Sequence, residues 1–142
     1  MDEIVFWKDR EQRIIDPTLF SKTAEEKAIA LSNEASGNLN KITQLRKFYD
    51  EVLHLDMEAK ARDAKKTEGE WNNILPLVHM LVAKAAYANG RKLVSDQFLK
   101  LVKSSVNQIK KPDDLTVFAN FFEALMGFYR LYIEKQKKGG SR

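Results

Sequence analysis

Cysteine is absent from the chain, so disulfides, thiolate nucleophiles and thiolate metal sites are excluded, and stability has to come from a packed core. A reducing, cytoplasmic setting suits that composition. Histidine occurs only at His54 and His79, and proline only at Pro17, Pro76 and Pro112, which leaves room for long helices between breaks. Long apolar runs are missing as well. The most apolar stretch, Ile74 to Ala83, holds Pro76 and His79 and is too short for a bilayer. The first ten residues mix Asp2, Glu3, Lys8 and Asp9 with apolar side chains, unlike a signal peptide. Gly-rich phosphate loops, HExxH and GxSxG are also lacking, so no constellation for an enzyme can be assembled.

What is present is globular. At 142 residues, with 44% hydrophobic and 31% charged residues, the chain suits one domain with its own core rather than a disordered or fibrous polymer. Net charge is +4, a mild bias that bears on partners rather than on fold. Its distribution is more telling. From Lys84 to Lys111 the cations are Lys84, Arg91, Lys92, Lys100, Lys103, Lys110 and Lys111, against Asp96 alone. A surface facing a polyanion follows naturally from that asymmetry.

Helical periodicity organises the chain after Pro17. Thr23 and Glu26 have capping-box spacing, opening a helix from Ala24 to about Ala35 that Gly37 stops. Asn40 or Thr43 is the next expected N-cap. A second helix then spans about Gln44 to Lys66, with Leu45, Phe48, Val52, Leu55 and Ala59 as its apolar stripe. Residues 65–70 have no apolar anchor and are expected as a mobile loop. Pro76 is placed in the first turn of a third helix that ends at Asn89-Gly90. A fourth covers about Leu93 to Lys110, with Val94, Phe98, Leu101, Val102 and Ile109 inward. Asp113 or Asp114 caps a fifth that runs to about Lys135. There Thr116, Asn120, Glu123, Arg130 and Glu134 form a narrow polar strip, while Phe118, Phe121, Phe122, Phe128, Tyr129 and Tyr132 make the rest aromatic. So wide an apolar arc belongs either to a central helix or to a subunit interface, and self-association is expected on the second ground. The expected architecture is all-α: a compact bundle of about five helices over residues 17–135. Residues 1–16 form an N-terminal arm that is mobile or docks either on its own bundle or on a neighbour, and residues 136–142 a disordered tail.

Three faces are candidates for contact with nucleic acid. On the third helix Met80, Lys84, Tyr87 and Arg91 share a face apart from an Ile74, Leu77, Leu81 and Ala85 core. Two cations around a ring suit phosphates with a nearby sugar or base; equally, the cations can snorkel over a packed tyrosine. On the fourth, Lys100, Lys103, Asn107 and Lys110 lie opposite Phe98 and Val102, and a merely solvated face is the better account of them. The third face is Arg46-Lys47, beside Lys41. His54 and Glu58, four apart on a solvated face, make only two ligands of a metal site, so surface residues describe them better. His79, beside Leu75, Val82 and Ala86, is expected to be partly buried and structural.

The stretch Asn40-Lys41-Ile42-Thr43-Gln44-Leu45-Arg46-Lys47-Phe48-Tyr49-Asp50-Glu51-Val52 resembles the signature segment of the small subunit of type III-A CRISPR (Csm) effector complexes. Ile74-Leu75-Pro76, Leu81, Ala83-Lys84-Ala85-Ala86-Tyr87-Ala88 and Gly90-Arg91 are similar to that family's second motif. The resemblance covers about residues 17–135 and leaves Ile4-Val5-Phe6-Trp7 unmapped. It implies a non-catalytic subunit that stacks in several copies and lines a basic groove holding guide RNA paired to target RNA. In such a complex, contacts are to the backbone, and cleavage belongs to other subunits. The two motifs make Lys41, Arg46, Lys47, Lys84 and Arg91 the expected RNA-binding residues. Charge pattern alone adds Lys92, Lys100 and Lys103. No catalytic residue, metal or cofactor is expected. The expected partners are guide and target RNA, the other Csm subunits and further copies of the chain, with no membrane. A helical protein–protein adaptor without nucleic acid is the alternative, and a small metal-dependent nuclease the more distant one.

Overall fold

Among residues 4–140, which the computed structural model describes, five α-helices follow a short hairpin. The hairpin pairs β1 (Trp7–Asp9) antiparallel with β2 (Ile14–Ile15). A π-helical turn at Leu19–Thr23 leads into α1 (Ala24–Glu34). Then come α2 (Ile42–Ala61), α3 (Glu68–Gly90), α4 (Asp96–Asn107) and α5 (Pro112–Gly140).

The fifth helix is the central one. It packs against α1 and α2, while α3 packs against α2 and α4. Phe118, Phe121, Phe122, Leu125 and Tyr129 are fully buried. Phe98 of α4 stands edge-on to Phe48 of α2 at 5.2 Å and to Phe122 at 6.2 Å, so one aromatic cluster joins three helices. Most of the aromatic surface that suggested a subunit interface is therefore covered by the chain's own helices, although Leu131 remains exposed.

The arm joins the same core. Ile4 and Phe6 are buried and the intervening Val5 is exposed, the alternation of an extended segment. The Phe6 N–H donates to Gln108 Oε1 at 2.9 Å, and the Gln108 side chain donates back to the Ile4 carbonyl. Trp7 Nε1 donates to Asp114 Oδ1 at 2.9 Å, and Arg10 pairs with Asp114 Oδ2 at 2.7 Å. Of the alternatives for this arm, docking on its own bundle is the one observed for residues 4–16. Met1 to Glu3 lie outside the described residues.

Several helix ends differ from the sequence expectations. Thr23 is helical and makes no side-chain cap, because the preceding π-helical turn already feeds α1. Neither Asn40 nor Thr43 caps α2: Lys41 precedes it without a side-chain bond. Asn40 is instead a buried clamp in left-handed backbone, φ 57°. Its Nδ2 donates to the Leu31 carbonyl and to Ser95 Oγ, its Oδ1 accepts from the Ser95 N–H at 2.8 Å, and its carbonyl accepts from the Tyr129 hydroxyl. Asparagine tolerates that backbone region better than most residues and satisfies every group it buries. Asn40→Ala is expected to cost about 2–4 kcal/mol in denaturant unfolding, since it orphans the Ser95 N–H and the Leu31 carbonyl.

The third helix starts at Glu68 and carries Pro76 in its interior, not in its first turn. Trp71 and Ile74 are buried and extend the apolar stripe upstream of the proline. Pro76 and Asn72 are both exposed, so the Asn72 carbonyl that loses its helical partner faces water. That start also places the second half of the expected 65–70 loop, from Glu68 on, in helix. Ser95 caps α4, accepting from the Phe98 N–H. Asp114 reaches back to the N–H groups of Lys110 and Lys111 at 2.9 and 3.0 Å. The fifth helix continues to Gly140, beyond the end expected near Lys135, while Ser141 and Arg142 lie outside the described residues.

Burial raises the Tyr129 phenol above its ordinary pKa, with Glu34 adding to the shift. The folded value exceeds the unfolded one, so the stabilisation is complete below about pH 10, the unfolded pKa. It is lost as pH rises further. A stability profile measured across alkaline pH should show that decline, and Tyr129→Phe should weaken it.

Candidate nucleic-acid interface

On α3 the buried residues Trp71, Ile74, Val78, Leu81, Ala85 and Ala88 recur three and four apart, so one strip faces the bundle. The opposite strip faces out. Leu77 belongs to it, at 52% exposure, and Val78 takes the core position expected for Leu77. His79 is likewise exposed, contrary to the expectation of a partly buried structural histidine. Both follow from the position of α3 on the outside of the bundle, where it buries a narrower face than its apolar content suggests.

A cleft of about 260 Å³ runs between α2 and α3, lined by Gln44, Lys47, Phe48 and Glu51 on one side and Lys84, Tyr87 and Arg91 on the other. Tyr87 is 67% exposed, and the Arg91 guanidinium lies over its ring at 5.7 Å. Lys84 Nζ contacts both Glu51 carboxylate oxygens at 2.7 and 2.8 Å. Both side chains of that pair are nearly half exposed, so it is worth about 0–1 kcal/mol and an incoming anion can replace it.

The fold therefore brings Lys47, Lys84 and Arg91 together. Arg46 does not line the cleft; its charge acts on Tyr49, as does that of Glu123 of α5. Burial raises the Tyr49 pKa, with Glu123 adding to the shift and Arg46 opposing it. Lys41 is exposed just before α2, Lys92 is exposed after α3 with φ 61°, and Lys100 and Lys103 are exposed on α4. None of these five lines the cleft. Ala88 and Leu93 complete the wall, and Gln44 and Glu51 are the polar lining residues not expected from the sequence. Their signal was the spacing Gln44, Lys47, Glu51, three and four apart on the solvated face of α2. His54 is exposed, and Glu58 is engaged by Arg62 at 2.8 Å. No group of three His, Asp or Glu side chains among the described residues could hold a metal ion. Nor is any helix among them long and apolar enough to cross a membrane.

Both strings of residues that line the cleft fall within residues 16–135, which match a family model described as Csm2 Type III-A. The chain belongs to the Csm2 family. No curated protein and no solved structure matches it. Csm2 proteins are the small structural subunits of type III-A CRISPR effector complexes, which makes the other Csm subunits partners of this chain. The match starts at Asp16, where the docked hairpin ends, and Ile4, Phe6 and Trp7 of the preceding segment join the same core.

Proposed function

We propose that this Csm2-family chain grips the backbone of guide RNA paired to target RNA through the α2–α3 cleft, without reading base sequence. It stacks in several copies beside the other subunits of a cytoplasmic effector complex. It positions RNA and leaves cleavage to its neighbours. The carrying observation is the convergence of Lys47, Lys84 and Arg91 around the exposed Tyr87 ring. Cations neutralise phosphates whatever the base, and an exposed ring stacks on any sugar or base face. Lys41, Arg46, Lys92, Lys100 and Lys103, outside the cleft, add to the attractive field. Three cleft cations per copy make the isolated chain a weak binder, and stacking multiplies the contacts along one RNA. A protein–protein adaptor is the second reading, favoured by the exposed Leu77 and Met80.

The isolated protein should bind single-stranded RNA weakly and with the same affinity for unrelated sequences. Lys47→Ala/Lys84→Ala/Arg91→Ala should bind more weakly still. Its plot of log affinity against log salt should be shallower by up to about 0.7 per lost phosphate contact. Its melting temperature should barely move, because exposed substitutions cost within about 0.5 kcal/mol each. An unchanged salt slope in the folded variant would refute the assignment of RNA to this cleft.

A further inference from the structure

Next to the basic cleft, along the same α2–α3 seam, lies a second depression of about 380 Å³ with a different character. Leu77 and Met80 of α3 border it at 52% and 51% exposure, with Leu55 beside them. Asp50, Glu51 and His54 of α2 face them. Its only lysine, Lys84, is the one bound to Glu51. Two carboxylates against one ammonium leave this depression one charge negative, on a chain whose net charge is +4. The seam thus changes from cationic and aromatic to acidic and apolar at the Lys84–Glu51 pair.

We infer that this depression docks another protein subunit of the effector complex through an apolar side chain flanked by lysine or arginine. Two half-exposed apolar residues three apart on one helix face make a receptive apolar surface. The adjoining carboxylates select a basic neighbour and repel phosphate, which keeps RNA on the cationic side of the seam. Apolar anchors set in a charged rim carry most of the energy in interfaces of this kind. The inference rests on membership of the family and is independent of the RNA assignment.

The test titrates the full chain into effector complex assembled without it. Leu77→Glu/Met80→Glu should enter the complex at least about tenfold more weakly. Asp50→Lys should also weaken entry, with a loss that is larger at low salt. Both variants should keep the wild-type melting temperature, and the uncharged Leu77→Ser/Met80→Ser should also enter more weakly while keeping the wild-type salt slope for RNA. Unchanged entry by both variants overturns the inference. A shallower RNA slope in the uncharged Leu77→Ser/Met80→Ser variant also overturns it, making the depression part of the RNA surface. So does sedimentation in which the isolated wild type dimerises and that variant does not while entry is unaffected, because the occupant is then a second copy. If the double variant melts early, Asp50→Lys at its exposed position decides the matter.

Discussion

Phe98→Ala should destabilise the protein by about 3–5 kcal/mol, the range for deleting a fully buried phenylalanine. Phe98 is completely buried, with Phe48 edge-on at 5.2 Å and Phe122 at 6.2 Å. Its loss opens a cavity where α4 meets α2 and α5, and two rings lose a neighbour at once. Those two rings sit on rigid helices, which limits how far the site can collapse. Denaturant unfolding should show a lower midpoint with an unchanged m-value, because the surface exposed on unfolding stays nearly the same. RNA binding should fall only as far as the unfolded fraction rises. Leu77→Ala on the outer face of α3 should move the midpoint by no more than about 0.5 kcal/mol.

Asp114→Ala should cost a comparable amount by a different route. This carboxylate is fully buried and accepts from Trp7 Nε1, from Arg10, and from the N–H groups of Lys110 and Lys111. Each buried donor left without an acceptor costs about 1–3 kcal/mol. Arg10 is two-fifths exposed and can turn to water, so the loss falls on the other three donors. The Lys110 and Lys111 N–H groups are only partly buried, which keeps the sum at the low end, about 3–5 kcal/mol together. It should also free the arm. Limited proteolysis should cut within residues 4–16 of the variant before the helices are touched, and more slowly in the wild type. A variant that melts normally with a protected arm would show that Gln108 and the apolar residues Ile4 and Phe6 suffice to dock it.

The helical stripes were legible because burial in a bundle has the period of the helix. Leu45, Phe48, Val52, Leu55 and Ala59 are all buried, as are Val94, Phe98, Leu101, Val102 and Ile109. Local rules failed where tertiary contacts overrode them. Asn40 looks like a cap, yet its partners on Leu31, Ser95 and Tyr129 lie in three other parts of the chain. Pro76 looks like a helix start, but the helix tolerates it on the solvent side because Trp71 and Ile74 anchor the turns before it. The hairpin eluded a search for helical spacing because its period is two.

The site divides in the same way. Of Met80, Lys84, Tyr87 and Arg91, expected on one face, the last three line the cleft and Met80 lines the adjoining depression, because the apolar residues between them fix the rotation of α3. Arg46 and Lys47 are adjacent in sequence and so about 100° apart around α2. Only one of them can face α3, and no local pattern says which until that neighbour is in place. Glu51, the partner that holds Lys84, lies 33 positions away in sequence, a pairing that single-helix spacing does not reveal.

The location of the RNA is tested most directly by photo-crosslinking a bound guide–target RNA to the chain within the assembled effector complex. Crosslinks should concentrate at Tyr87 and on the peptides carrying Gln44, Lys47 and Arg91, in the same places for unrelated guide sequences. Crosslinks confined to α4 around Lys100 and Lys103, with α2 and α3 unmarked, would contradict the account.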